Sequence, residues 1–318
     1  VQAHGAVNGS NSVGGLIGYN DRAGVFYSHA TGNVSGTGSG IGGLIGVQDR
    51  VTSGYEIKVT YATGNVTGGS VVGGLVGNIT GFIRFSYATG DVKGDSIVGG
   101  IAGMLSQDGI FYAYATGKVT NHVNQAGGLV GYIASAQIWN SYFAGTTSFT
   151  GVQTGGLAGD YFGSTTGFNR TFWDKDLSGV TNMCGFVHAE CINTFGKTTG
   201  EMKNVATFNG PYPNEWSFAG EVDSDFDYWR ISPGEYPQFS WVNYSPFAGG
   251  NGSPEDPYQI STADQFNIVG HSPYFNGMNY IITNDIDFNT LSNSFIPWQS
   301  FDGSLDGQNF TLSNLTFT

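Results

Sequence analysis

The segment Tyr87–Gly103 reads YATGDVKGDSIVGGIAG, and the segments on either side of it repeat almost the same residues. Tyr61–Gly77 reads YATGNVTGGSVVGGLVG, and Tyr114–Gly131 reads YATGKVTNHVNQAGGLVG. Self-similarity at a fixed period is the sequence signature of a repeat architecture. This short block therefore decides the fold class of the chain.

The period of the repeat is 26 to 32 residues. Its glycine-pair block recurs with steps of 28, 31, 26, 28 and 28 residues, and the ATG-type block keeps step with it. The longer step falls where residues 47–59, VQDRVTSGYEIKV, add length between the blocks, as a loop insertion would. The glycine-pair blocks begin at Gly14, Gly42, Gly73, Gly99, Gly127 and Gly155.

Aligned units form columns of similar residues, and these columns predict strands. Short β-branched runs interrupted by glycine are typical of strands, and no unit shows a helical stripe with a period of 3.6 residues. Short strands at a fixed period, without hairpin turns, predict an all-β parallel β-helix, or solenoid, with one coil per unit. A sandwich or a propeller is the alternative, although a propeller blade needs about 40 residues. The clearest columns are Val34, Val66, Val92 and Val119, and Leu16, Leu44, Leu75, Ile101, Leu129 and Leu157.

One column is aromatic and is the first candidate site. Rings stacked on successive coils would form a ladder, either as a strip on which sugar rings lie or as a stack that stiffens the solenoid. The second interpretation, a stack that stiffens the solenoid, is favoured. The column contains His29, Tyr61, Tyr87, Tyr114, Tyr142 and Phe172, and the candidate ligand ladder is Tyr61, Tyr87, Tyr114 and Tyr142.

Composition excludes several partners. The net charge is -13 and only 11% of the 318 residues are charged, which disfavours nucleic acid and anionic membrane surfaces. No apolar run is long enough to span a membrane. N-glycosylation sequons also occur, although a chain rich in Asn, Ser and Thr produces them by chance. They lie at Asn8, Asn33, Asn65, Asn78, Asn169, Asn243, Asn251 and Asn314.

Cysteines and carboxylates provide the remaining chemical candidates. The spacing of Cys184 and Cys191 suits a small extracellular disulfide loop, and two free thiols are the alternative. Asp174 and Asp176 would face the same way if they lay on one strand. No resident cofactor is expected. A calcium site is the weaker interpretation of the acidic loop that contains Asp223, Asp225 and Asp227, and a solvated acidic loop is the stronger one.

The block VGGLVG, followed by SYATGDVKG, closely resembles the GLUG-motif repeats of large bacterial and archaeal extracellular proteins. Five or six units match over residues 1 to about 165. The resemblance implies a secreted or cell-surface, mostly β, adhesin-like solenoid protein. It supplies no common catalytic residues, so the chain is expected not to be an enzyme.

The resemblance also divides the chain. Residues 1–165 are predicted to form solenoid coils, residues 166–245 an irregular closing segment, and residues 246–318 the opening segment of a next module. This last segment is a small capping region with one short helix, for which Ser261 or Thr262 is the candidate N-cap. Because the closing segment precedes the opening one, the chain is interpreted as an excerpt of a tandem protein or as a self-assembling subunit.

Three functions remain open from the sequence. The first is a structural or adhesive extracellular protein that forms a filament or stalk, with copies of the chain stacking head to tail. The second is a polysaccharide-binding surface module that uses the tyrosine column. The third is a polysaccharide-degrading enzyme, which would need paired carboxylates. The candidate assembly ends are Val1, Val7, Phe310, Leu312, Leu315 and Phe317.

Overall fold

The computed structural model describes residues 1–49, 56–162, 167–186, 191, 195–209, 216–218, 228–242, 247–250, 252–269, 278–291, 301 and 303–316. The chain forms two compact units. Unit 1 comprises Val1–Trp216 and Ile231–Pro237, and unit 2 comprises Ser217–Arg230 and Gln238–Thr318. The module boundaries proposed at residues 165 and 245 stay predictions.

Unit 1 is built from short strands that recur once per coil. The early coils contain β1 (Gln2–Ala3), β2 (Val7–Gly9), β3 (Val13–Gly14), β4 (Ile17–Asp21), β5 (Val25–Phe26), β6 (His29–Ala30), β7 (Val34–Gly36), β8 (Ser39–Gly42), β9 (Ile45–Asp49), β10 (Glu56–Lys58), β11 (Tyr61–Ala62), β12 (Val66–Thr67), β13 (Ser70–Gly73) and β14 (Val76–Ala88). The later coils contain β15 (Val92–Gly94), β16 (Val98–Gly99), β17 (Ala102–Ala115), β18 (Val119–Asn121), β19 (Gln125–Gly127), β20 (Val130–Ala134), β21 (Ala136–Trp139), β22 (Tyr142–Phe143), β23 (Thr147–Phe149), β24 (Gln153–Gly155), β25 (Ala158–Phe162), β26 (Phe168–Asn169), β27 (Phe172–Asp174) and β28 (Gly196–Lys197).

Three parallel sheets run along these coils. The first has 16 strands and includes the path β1-β6-β11-β14-β17-β22-β27-β28. The second has the order β2-β7-β12-β15-β18-β23, and the third has β3-β8-β13-β16-β19-β24. Each strand pairs with its counterpart one repeat away, so Val66 lies in register with Val34 on one side and with Val92 on the other. The predicted parallel β-solenoid is therefore confirmed.

The core consists of the columns that the sequence aligned. Leu44, Leu75 and Leu129 are fully buried, as are the leucine and isoleucine partners of their column in the central coils. The glycine pair allows the tight corner beside them. A Cβ added at Gly73 would lie 2.0 Å from the carbonyl oxygen of Val76, so this position excludes any side chain. Close approach between backbones, rather than a positive φ, explains why glycine recurs in this block.

Positive φ angles occur at a different corner and mostly in residues other than glycine. One such column precedes the tyrosine ladder by two positions, and its φ angles lie between 44° and 54°. The left-handed region is unfavourable for bulky and β-branched side chains. Packing and hydrogen bonding between the stacked coils must therefore offset the cost of this conformation. The column contains Tyr27, Val59, Phe85, Tyr112, Asn140 and Arg170.

Beyond the regular coils, unit 1 closes with short helices. These are α1 (Lys175–Ser178), α2 (Thr199–Met202) and a 3₁₀ turn, Val205–Thr207. The expectation that Asp174 and Asp176 alternate on one strand is wrong, because β27 ends at Asp174 and Asp176 belongs to α1. Asp174 is instead the N-cap of α1, and its carboxylate accepts the N–H of Leu177.

Unit 2 contains a second set of stacked parallel strands. Thr262 caps its helix, as predicted, and its side chain accepts from the backbone N–H of Gln265. Strand pairing is parallel in β31-β32-β34 and in β33-β35, and antiparallel in β29-β30. The elements are β29 (Trp229–Arg230), β30 (Gln238–Phe239), β31 (Tyr258–Ile260), α3 (Ala263–Asn267), β32 (Asn279–Ile282), β33 (Ile286–Asp287), a 3₁₀ turn (Phe288–Thr290), β34 (Ser304–Asp306) and β35 (Leu312–Ser313).

Candidate functional site

The aromatic column forms a continuous ladder on the first sheet of unit 1. Backbone register pairs His29 with Tyr61, and pairs the tyrosines with one another in succession up to Tyr142. The ring centroids are 4.3 Å apart between His29 and Tyr61, and 4.9 Å apart between Tyr87 and Tyr114. Every stacked pair from His29 to Tyr142 is within 7° of parallel. The structure therefore brings all four predicted tyrosines together.

A buried column of hydroxyl groups next to the ladder fixes the backbone that carries it. The side chain of Ser86 donates to the carbonyl oxygen of Arg84 at 2.8 Å and accepts the backbone N–H of Thr60 at 3.2 Å. Ser141 makes the same kind of contacts, and its hydroxyl accepts the backbone N–H of Ala113, which lies one coil away, at 3.0 Å. Each hydroxyl forms its hydrogen bond across the residue of left-handed conformation that precedes it in the chain. The column therefore supplies hydrogen-bonding partners to buried backbone groups at this corner.

Stacking leaves the tyrosine ring faces covered. Tyr87, Tyr114 and Tyr142 are 7%, 3% and 0% exposed, while Tyr61 is partly exposed. Burial raises the pKa of the Tyr87 hydroxyl, and burial followed by the neighbouring Tyr236 raises the pKa of Tyr142. These phenols stay protonated at neutral pH. The ladder is therefore suited to stabilising coil stacking, at about 0.5–1.5 kcal/mol for each aromatic pair beyond its buried area.

His29 stands at the other end of the ladder. Burial, and then the positive charges of His4 and the amino terminus, lower the pKa of His29 to about 4. The imidazole is therefore neutral at pH 7. It contributes a flat ring to the stack rather than a charge.

The ladder ends on a network that residues far along the chain supply. The hydroxyl of Tyr142 donates to the carbonyl oxygen of Pro237. The neighbouring Tyr236 donates to the fully buried carboxylate of Asp174 at 2.7 Å, and Thr199 donates to the same oxygen at 2.7 Å. The Asp174 carboxylate is thus engaged on both oxygens, since the other accepts the N–H of Leu177. This arrangement fastens residues 231–237 onto the last coils of unit 1.

Exposed Asn and Asp side chains, each directly after an ATG-type block, form a further ladder. The side-chain oxygen of Asn33 accepts the backbone N–H of Asn65 at 2.9 Å, and Asn65 does the same for Asp91. Sequence reasoning had treated Asn33 and Asn65 as sequons alone. The recurrence of Asn or Asp after ATG was the signal that could have revealed this ladder. Among the sequons, Asn8, Asn33, Asn65 and Asn314 are exposed, Asn78 and Asn169 are partly buried, and Asn243 and Asn251 lie outside the described residues.

A cluster on the outer surface of the first sheet was also missed. The guanidinium of Arg84 lies 5.0 Å from the ring centre of Phe82 and 4.8 Å from that of Phe111. Trp139 meets Phe111 edge-on at 5.5 Å. The repeat alignment could have shown that large outward residues stack here, although it gave no reason to single them out.

The other candidates occupy separate places. Cys184 and Cys191 are joined by a disulfide bond. The candidate calcium ligands Asp223, Asp225 and Asp227 lie outside the described residues, and within the described ranges no cluster of His, Cys, Asp and Glu could hold a metal ion. Helices of the described chain are all too short and polar to cross a membrane.

The assembly candidates fall in both units. Val1 and Val7 belong to the first coil of unit 1, with Val1 exposed and Val7 packed against the core. In unit 2, Phe310 and Leu312 are 40% and 38% exposed. Leu315 packs partly buried against the core of unit 2, and Phe317 lies outside the described residues.

Stacked columns, three parallel sheets and an aromatic ladder together define a parallel β-solenoid repeat protein. The family profile described as "The GLUG motif" matches residues 9–35, which span the first glycine pair and the first ladder residue. The resemblance to the GLUG motif that the sequence shows is therefore confirmed for this stretch of the chain.

A curated relative is larger by far. Halomucin of Haloquadratum walsbyi (strain DSM 16790 / HBSQ001) is 35% identical over 81 residues, covering 21% of this chain and 1% of halomucin. The chain thus spans about one hundredth of the length of that relative. No solved structure matches the chain significantly. The family profile and the stacked sheets both describe a repeat protein.

Proposed function

We propose that the chain is a rigid, non-catalytic structural segment of an extracellular or cell-surface repeat protein. The observation that carries the proposal is the unbroken register of the second sheet, in which Val7, Val34, Val66, Val92 and Val119 follow one another rung by rung. Repeat units that contact only their neighbours form an extended element whose length grows with the number of coils. Such an element suits a stalk.

Hydrogen exchange on the 318-residue chain tests this rigidity. The backbone N–H groups of Val34, Val66 and Val92 donate to the next coil at 2.8 Å, and we expect all three to exchange only through global unfolding. The exchange rate of Thr31, an exposed corner residue whose N–H also binds a neighbouring coil, is the internal reference for the rates of the three valines. Exchange of the valine amides as fast as in an unfolded chain would contradict the proposal.

The engaged carboxylate of Asp174 supports the absence of catalysis. A general acid or nucleophile must reach its substrate, whereas Asp174 is fully buried and bonded on both oxygens. Incubation with a panel of neutral and acidic polysaccharides should release no reducing ends or unsaturated products. Release of either product by the parent chain would overturn the proposal, and comparison with Asp174→Asn would show whether Asp174 or another residue carries the turnover.

Stacking of like coils is the proposed mode of assembly. Each sheet of unit 1 has an edge strand in the first coil, and such an edge binds either further coils of one chain or a second copy, head to tail. Sedimentation velocity over a concentration series tests association between copies. Val7→Lys, which places a charge toward the core, should abolish it, whereas Val123→Lys at a 54% exposed position should not. A parent chain that stays monomeric throughout would refute association.

Carbohydrate binding by the tyrosine ladder has less support. Sugar rings would need open ring faces, and neighbouring rings cover those of Tyr87 and Tyr114. Titration of the parent, Tyr87→Ala and Tyr114→Ala with polysaccharides decides the question, because affinity lost in both variants without loss of fold would restore this function.

Glycan occupancy of the exposed sequons is read in the same protein by peptide mass mapping.

A further inference from the structure

The second sheet of unit 1 ends inside the fold. Its last strand is β23, whereas the first sheet continues to β27 and β28. The glycine-pair block that begins at Gly155 is also followed by a further coil, because Gly156 and Leu157 donate to the carbonyl oxygens of Asn182 and Met183 at 2.8 and 2.9 Å. The chain therefore adds a further layer beside β23 on both sides but not over it.

Helix α1 causes this omission. After β27 the chain turns through α1, leaves it at Gly179 with φ 69°, and runs directly to the corner at Asn182. Thr147 donates through its hydroxyl to the carbonyl oxygen of Ser178 at 2.8 Å, and Trp173 donates to that of Val180 at 2.8 Å. A cleft of about 500 Å³ remains between β23 and the segment 178–182. Every residue that lines it is uncharged.

The backbone of β23 presents hydrogen-bonding groups to this cleft. In the earlier coils the valine of this column donates its N–H to the next coil, as Val66 does to Asp91 at 2.8 Å and Val119 does to Thr146 at 3.0 Å. Thr147 is the next member of the column, in register with Val119. Its N–H therefore faces the cleft, and no carbonyl of the described residues accepts it.

We propose that β23 is a docking edge for an extended, uncharged peptide segment that adds to the second sheet as a seventh parallel strand. A strand that joins a sheet edge gains affinity from main-chain hydrogen bonds, and side-chain pockets set its specificity. Every pairing in the second sheet is parallel, which fixes the orientation. The uncharged lining disfavours charged side chains.

The probe is an acetylated and amidated peptide with the sequence of residues 63–70, TGNVTGGS, which contains β12. In the fold, Asn65 of this segment accepts from Val34 of the preceding coil. By the alternation of parallel strands, the N–H of Thr67 faces the same way. A peptide N-methylated at Thr67 therefore lacks one of the bonds to β23 and is otherwise matched.

Calorimetric titration of the whole chain compares both peptides and two variants. Thr147→Pro removes the N–H that faces the cleft, and Thr147→Val removes only the bond to Ser178. We expect Thr147→Pro and the N-methyl group each to weaken binding about tenfold or more, and Thr147→Val to change it by less than about threefold. Circular dichroism checks that the variants fold. No binding of the unmodified peptide, or equal binding of the methylated one, overturns the proposal whether or not Thr147→Pro folds.

Discussion

Truncation of a central core leucine tests the claim that stacked columns hold the solenoid together. Leu75 is fully buried between Leu44 and Ile101. Leu44 donates through its backbone N–H to Leu75 at 2.9 Å, and Leu75 donates to Ile101 at 2.9 Å. The backbones above and below are thus fixed and cannot collapse into the space that a smaller side chain leaves. Leu75→Ala removes three carbons, worth about 2.4 kcal/mol at about 0.8 kcal/mol for each, and the unfilled cavity raises the loss to about 4 kcal/mol.

The matched control is Leu16→Ala, at the same column position in the first coil. Leu16 is only partly buried, and its side chain has a neighbouring coil on one side. We expect it to lose less than half as much free energy of unfolding as Leu75→Ala. Urea unfolding followed by intrinsic fluorescence and circular dichroism measures both. Equal losses, or a loss below about 1 kcal/mol for Leu75→Ala, would refute the reasoning, since burial within the stack would then not govern stability.

Three further variants examine other parts of the fold. Val71→Asn should be at least as stable as the parent in urea, because Val71 has φ 53° and Asn tolerates that region, whereas Val72→Asn, at a fully buried position, should lose about 3 kcal/mol or more. Because burial lowers the pKa of His29 to about 4 from 6.5, the unfolded chain binds more protons between these values, and stability falls as the pH drops from 6.5 to 4. His29→Tyr should lessen that fall in the urea midpoint, and an identical pH profile would contradict the assignment. Reduction of the Cys184–Cys191 disulfide should cost about 2.5 kcal/mol for its short loop, measured as a fall in the urea midpoint of the parent on adding dithiothreitol, and the same addition should leave the midpoint of Cys184→Ser unchanged.

Periodic features of the molecule were predictable from sequence, and its local departures from the repeat were not. The valine and leucine columns recur at one spacing, so alignment alone placed Leu75 on Leu44. The left-handed φ of Val59 has no such signal, because a β-branched residue is disfavoured there and only the stacked coils hold it. Helix α1 has four residues, too few to show a helical period. The burial of Asp174 depends on Tyr236, 62 residues away, which no local pattern connects to it.

The two kinds of interaction in unit 1 have different consequences for how such a chain can vary. Column contacts join each coil only to its neighbours, so a coil inserted among Tyr61, Tyr87 and Tyr114 would extend the ladder without altering its ends. The closing network is different, because the bond from Tyr142 to Pro237 and the bond from Tyr236 to Asp174 need residues that occur once. The repeat therefore sets length, and the unrepeated residues set where the stack ends. On this argument the cleft at β23 belongs to the closing part, and its docking edge keeps its place however many coils precede it.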